Sequence, residues 1–184
     1  MRAALGVGAL VIGLILGWFG HRAWASPPDV PTTTIRIYSD WRLACPNNTE
    51  DTSTCELRQD VLDDKSKSEI AQLSIVRIKG KNEMYVTVPF NVLLDPGIAL
   101  SLGKDKPRLY PYEVCNNVGC LVQIPMDDAL MTAIRNAPDA RILLAGLDGK
   151  PVGLPFSLKG FGDGVDAFDS AEATRRSWWR RFWS

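Results

Sequence analysis

The sequence predicts an all-β protein, an antiparallel β-sandwich with one short capping helix, preceded by a hydrophobic N-terminal helix for export or anchoring. Three observations carry this. Apolar residues in the body recur with a two-residue period, as in half-buried strands. Gly, Pro, Asn and Asp punctuate those runs at turn positions. The first residues form an uncharged apolar run behind a single arginine, as export segments do. With 184 residues and 46% apolar content, the chain can bury one core, so one folded domain is expected.

The N-terminal run has no charge from Ala3 to Phe19, then reads Gly20-His21-Arg22 and Ala23-Trp24-Ala25. Ala23 and Ala25 make a small-residue cleavage site, but the apolar run just reaches the length of a membrane span. Residues 1–25 are therefore a signal anchor in the preferred reading and a cleaved signal peptide in the other. Gly13 and Gly17 have the spacing that permits close helix pairing in a bilayer, although ordinary membrane-helix composition accounts for them. Either way the rest of the chain lies outside the cytoplasm: periplasmic and anchored to the inner membrane, or cleaved and periplasmic or secreted. Residues 26–33, with Pro27, Pro28 and Pro31, form a stiff linker. The sandwich is expected over 34–170, and 171–184 form a basic-aromatic tail.

Within the body, Trp41 to Ala44, Cys55 to Gln59 and Ala71 to Ile78 read as strands. Met84, Val86 and Val88 alternate with Tyr85 and Thr87, and Ile98, Leu100 and Leu102 with Ala99 and Ser101. Between those two strands Asp95-Pro96-Gly97 has the composition of a type II turn. Tyr110 to Cys115 and Cys120 to Ile124 read as a hairpin around Asn116-Asn117-Val118-Gly119. Arg141 to Gly146 and Pro151 to Leu158 form another around Asp148-Gly149. The helix spans Pro125 to Ala137, with acids at its start, Arg135 and Asn136 at its end, and an apolar stripe of Met126, Leu130, Ala133, Ile134 and Ala137 that caps the core. Many short strands with one helix make an antiparallel sandwich.

Cys45, Cys55, Cys115 and Cys120 are an even set in an exported chain, which points to two disulfides. Their spacing lacks the short Cys pairs of zinc knuckles and the Cys-x-x-Cys of redox motifs, and no histidine lies nearby. Pairing Cys45 with Cys55 and Cys115 with Cys120 follows from sequence proximity and, for the second pair, from facing positions across a hairpin.

Formal charge is zero overall, but Arg2, Arg22, Arg175, Arg176, Arg180 and Arg181 sit at the ends; removing them from the 21 basic residues leaves 15 against 21 acidic ones. Such an acidic body argues against nucleic acid as a partner. The only histidine, His21, lies in the export segment, so histidine-based catalysis and metal binding are absent from the expected domain. Asp127 and Asp128 belong to a helix start, Asp163, Asp166 and Asp169 read as a solvated run, and Asn47-Asn48-Thr49 as a loop inside the first disulfide ring rather than a glycosylation site. In the tail, Trp178, Trp179, Phe182 and Trp183 fall on one arc of a helix, Arg180 and Arg181 on the other, with Arg176 at the flank and Arg175 inside the aromatic arc. Tryptophan beside arginine suits a lipid headgroup zone, so these eight residues are the expected membrane contact; the other reading is a chain end that is frayed or packed on the domain.

Asp40-Trp41-Arg42-Leu43-Ala44-Cys45, Cys55-Glu56-Leu57-Arg58-Gln59, Pro89 through Gly97, the Cys115–Cys120 pair and Leu158-Lys159-Gly160-Phe161 occur in that order. Over roughly Thr34 to Phe168 this series resembles the invasion-associated locus B proteins. The resemblance implies an immunoglobulin-like β-sandwich and an exported bacterial envelope protein of a family named for host-cell invasion, with no established catalytic residues. It implies a non-catalytic protein, with no cofactor, that binds an unidentified protein or envelope component. The competing reading is a periplasmic enzyme using a thiol or a pair of carboxylates.

Overall fold

Period-two alternation decides which face of each strand is buried. In β5 (Lys81–Val88) Met84, Val86 and Val88 are buried and their neighbours are not. The same pattern runs through β3 (Glu56–Leu62), where Leu57, Gln59 and Val61 point inward, and β9 (Cys120–Pro125), where Cys120, Val122 and Ile124 do. The structure, a computed structural model, describes residues 33–47, 54–63 and 65–182, with side chains as far as Arg175. The expected export segment 1–25, nearly all of the linker, Asn48-Thr49 and Trp183 lie outside the described residues.

With β1 (Thr33–Tyr38), β2 (Trp41–Pro46), β4 (Glu69–Ile78) and β8 (Val114–Cys115), these strands form a seven-stranded antiparallel sheet in the order β1-β2-β3-β4-β5-β9-β8. The remaining strands, β6 (Ile98–Leu102), β7 (Arg108–Tyr110), β10 (Ala140–Ala145) and β11 (Pro151–Phe156), form a four-stranded sheet in the order β11-β10-β6-β7. Leu57, Leu73, Ile75 and Val86 from the first sheet share one core with Ile98, Leu100 and Ile142 from the second. The layering is thus a sandwich, as expected. The strand order is not that of an immunoglobulin domain, whose consecutive strands are shared between its sheets, because here β1 to β5 run as one uninterrupted meander.

The capping helix α1 (Asp128–Asn136) starts where its sequence says it should: Asp127 is the N-cap, accepting from the Leu130 amide at 2.7 Å, and Leu130 and Ile134 are buried. The second helix, α2 (Phe161–Phe182, 22 residues), runs through residue 170, where the sandwich was expected to end. It lies against β1, β2 and β3. Phe161, Val165 and Phe168, spaced by one and two helical turns, are at most 1% exposed, which is the stripe that docks the helix. The solvated run of aspartates is therefore helical: Asp166 pairs with Arg135 of α1 at 2.6 Å, and Asp169 pairs with Arg77.

One strand expectation also changes. The stretch Tyr110 to Cys115 is not one strand; the chain leaves the smaller sheet after Tyr110, which ends β7, and joins the larger one at Val114, with Pro111 at the break. Gly97 has the expected positive φ of 98°, and the Asp95–Pro96 peptide that leads into it is cis.

Candidate functional site

All four cysteines are bonded in the expected pairing, with Cα–Cα distances of 4.3 Å for Cys45–Cys55 and 3.9 Å for Cys115–Cys120. Cys55 and Cys120 are buried against the core. A thiol nucleophile would thus require reduction of one of these bonds.

Three of the motifs that carried the resemblance, Asp40–Cys45, Cys55–Gln59 and Leu158–Phe161, meet around Ser157. Its amide donates to Gln59 Oε1 at 2.9 Å and its hydroxyl to Asp40 Oδ2 at 2.5 Å. Its carbonyl accepts from Trp41 Nε1 at 2.9 Å and Gln59 Nε2 at 3.1 Å. Next along the chain, Gly160 (φ 79°) lies where a Cβ would collide with the Tyr38 carbonyl, and Phe161 packs edge-on against Trp41 with centroids 5.3 Å apart. Trp41, Gln59 and Phe161 are buried. Together these contacts fasten β2 and β3 to the start of α2. Their groups are spent on one another, which is the chemistry of a structural seam.

The shifted titrating groups have local explanations too. Asp63 is held below the usual carboxylate range first by the Ser66 amide and then by its hydroxyl, and Asp148 by the Lys150 amide. Both are turn residues. Burial raises the Tyr112 hydroxyl, and burial, with Glu113 and Glu83 nearby, raises Tyr85. Among the described residues the shifted groups do not pair an acid with a base in one cleft, the arrangement that marks acid–base sites. Among the described residues no group of three His, Cys, Asp or Glu side chains is placed to hold a metal.

What the molecule does offer is an apolar end. Phe90, Leu93 and Leu94, in the crossover from β5 to β6, are 48%, 38% and 57% exposed; Val118, at the tip of the β8–β9 hairpin, is 72% exposed, and Leu147, in the β10–β11 turn, 64%. These three loops are neighbours. Val88, the last residue of β5, pairs with Cys120, and its carbonyl lies against Gly119; four residues on, Val92 bridges to Gly146. They are also held. Leu93 N donates to the Ala145 carbonyl at 2.8 Å, Asn116 N to the Gly119 carbonyl at 2.9 Å, and Asn116 Oδ1 accepts from the Val118 amide at 2.9 Å, inside the Cys115–Cys120 ring. Loops held in this way have little freedom left to lose when their apolar tips are covered.

Sequence reasoning marked none of these tips as a site. Their signal was Phe90, Val92, Leu93 and Leu94, four apolar residues in a segment bounded by Pro89 and Pro96. The described residues of the expected tail contact continue α2. Arg175 Nη1 donates to the Pro46 carbonyl at 2.5 Å. Arg176, Trp178, Trp179, Arg180, Arg181 and Phe182 lie on the continuing backbone of α2. Among the described residues no helix is long and apolar enough to cross a membrane.

Comparison with known proteins agrees with the layout. Residues 41–169 match the family described as Invasion associated locus B (IalB) protein. A search of curated proteins finds no match. Among solved structures, the crystal structure of invasion associated protein b from Bartonella henselae superposes with a TM-score of 0.65 at 20% identity, covering 74% of this chain and 96% of that one. At that identity the likeness shows the fold. With its motif series in order, its sandwich and a match over most of the folded domain, the chain belongs to the invasion-associated locus B family.

Proposed function

We propose that this chain is a non-catalytic, exported envelope protein, held at the periplasmic face of the inner membrane, that binds another envelope protein through the apolar loop end. Two disulfides built into the sheet margins support an oxidising compartment, since such bonds do not persist among cytosolic thiols. The observation that carries the binding reading is the cluster of Phe90, Leu93, Leu94, Val118 and Leu147, all at least 38% exposed on loops pinned by backbone hydrogen bonds and a disulfide. Asn116, Asn117, Asp148 and Lys150 flank it. An apolar centre with a polar rim is the anatomy of a protein interface. Fully covering Phe90 and Leu94 would contribute about 1.5–3 kcal/mol each, enough to matter against the cost of association.

The test places a photo-cross-linking amino acid at Val118 of the full-length chain in its native envelope, with and without Phe90→Asp and Leu94→Asp together. Cross-linked species of higher mass are expected, and the double variant should abolish them while leaving the thermal midpoint nearly unchanged, because both side chains are already exposed. Identical adducts with and without the substitutions, or no adduct, would overturn the assignment.

A further inference from the structure

The two ends of the described domain meet at one corner. Thr33, the first residue of β1, pairs with Pro46, and the Pro46 carbonyl accepts a hydrogen bond from Arg175 of α2. The corner is rigid. Cys45 is bonded to Cys55, and the Cys55 amide donates to Glu172 Oε1 at 2.7 Å, with Glu172 only 5% exposed. The direction in which α2 leaves the sheet is therefore set by a covalent bond and a buried hydrogen bond.

From this corner two segments depart. The α2 backbone continues from Arg176 to Phe182, a further ~10 Å at helical rise. After Glu172 the chain has no acidic residue, but it has four arginines and three tryptophans. Upstream, the seven residues Ser26 to Thr32 separate Ala25 from Thr33. Fully extended they reach at most about 25 Å. A retained hydrophobic segment thus confines this corner, and no other part of the domain so closely, to the vicinity of the bilayer.

We infer that the corner where Thr33, Pro46 and Arg175 meet is a membrane-docking pole whose α2 extension binds the anionic headgroups of the bilayer. The placement in the membrane rests on the anchored reading of residues 1–25; affinity of the pole for acidic lipid does not. Each arginine at an anionic surface strengthens binding roughly fivefold, and indoles settle at the same depth. The tether adds to this, because confining the tail near the bilayer makes its binding an intramolecular event. The net negative charge of the body opposes its own binding to an anionic surface.

The experiment uses the soluble chain from Ser26 onward, the form that cleavage after Ala25 leaves; Thr32–Ser184 is a compact unit by itself. It is mixed with vesicles of phosphatidylcholine alone or with phosphatidylglycerol, at low and high salt, beside a chain ending at Arg175 and the triple variant Arg176→Gln, Arg180→Gln, Arg181→Gln. The intact chain should bind the anionic vesicles at least about tenfold more tightly than either variant, lose that advantage in salt, and show blue-shifted tryptophan emission. Paramagnetic headgroups should broaden the amides of Thr33 to Arg36, Cys45 and Asn47 and spare those of Leu94 and Val118. Equal binding by all three chains, or broadening centred on the loop end, would overturn the pole. The N-terminal mass of the native protein reports separately on whether the anchor is retained.

Discussion

At the residue scale, two glycines with nearly the same backbone separate conformational strain from collision. Gly149 has φ 75° and nothing within 4 Å of where a Cβ would be, whereas at Gly160, with φ 79°, that Cβ meets the Tyr38 carbonyl. Gly149→Ala should cost about 1–2 kcal/mol, the price of a left-handed alanine, and Gly160→Ala clearly more, because the seam must open. Urea unfolding of both variants checks this, and equal midpoints would mean that the seam yields freely. Trp41→Phe should cost about 2 kcal/mol by removing the indole hydrogen bond to Ser157 and part of a buried side chain. Asp63 makes a pH prediction. Its carboxylate accepts from the Ser66 amide at 2.7 Å and the Lys65 amide at 3.1 Å, and its folded value lies below the ordinary 3.8. A lowered carboxyl contributes its share of stability above the ordinary value and loses it as pH falls through the lowered one. The Ser66 amide resonance should therefore shift in that acid range, and Asp63→Asn, which keeps the acceptor, should remove the step.

Among the elements, α2 matters most for the core. Phe168 is fully buried and takes the Arg77 guanidinium over its ring at 5.3 Å. Phe168→Ala should destabilise by about 3–5 kcal/mol, whereas ending the chain at Arg175 should leave the unfolding midpoint unchanged. Glu172→Ala should cost about 1–3 kcal/mol by stranding the buried Cys55 amide. A tail truncation that unfolds the domain would show that the last turns are structural. Those predictions follow from a helix the sequence concealed. Phe161, Val165 and Phe168 carry its period, but Gly162 and Gly164, both poor helix formers, make the stretch read as a loop with aspartates. The glycines are present for packing: a Cβ on Gly164 would come within 3.0 Å of Leu57 Cδ1 and one on Gly162 within 3.2 Å of Arg135. By contrast α1 was legible because its cap, charges and stripe all agree, and β5 and β9 because one face of each is buried. β1 was not, since Thr33 to Ile37 are exposed on both faces and show no buried alternation. The apolar loop end was hidden for a further reason: only the fold brings Phe90, Val118 and Leu147 together.

On the scale of the whole molecule, the strand registers place the two proposed contacts at opposite ends. The docking corner lies by Pro46 and Cys55; from Glu56 the sheet steps through Val76 to Glu83 near the start of β5. The loop end begins where β5 finishes, at Val88 opposite Cys120. An eight-residue strand spans about 27 Å. A disulfide lies toward each end of the sheet, and on the chain-entropy model their loops of about 11 and 6 residues contribute roughly 2.8 and 2.2 kcal/mol. Non-reduced peptide mapping should therefore return only the two local pairs, and reduction should lower the unfolding midpoint. The central claim is that one end is tethered to the membrane and the other presented to a partner. Energy transfer tests it most directly, using the full-length chain in anionic bilayers with a headgroup acceptor and a fluorescent amino acid at exposed Ala173 near the corner or at Leu94 in the loop end. Transfer should be strong from Ala173 and severalfold weaker from Leu94; equal transfer from both positions, or stronger transfer from Leu94, would contradict the account.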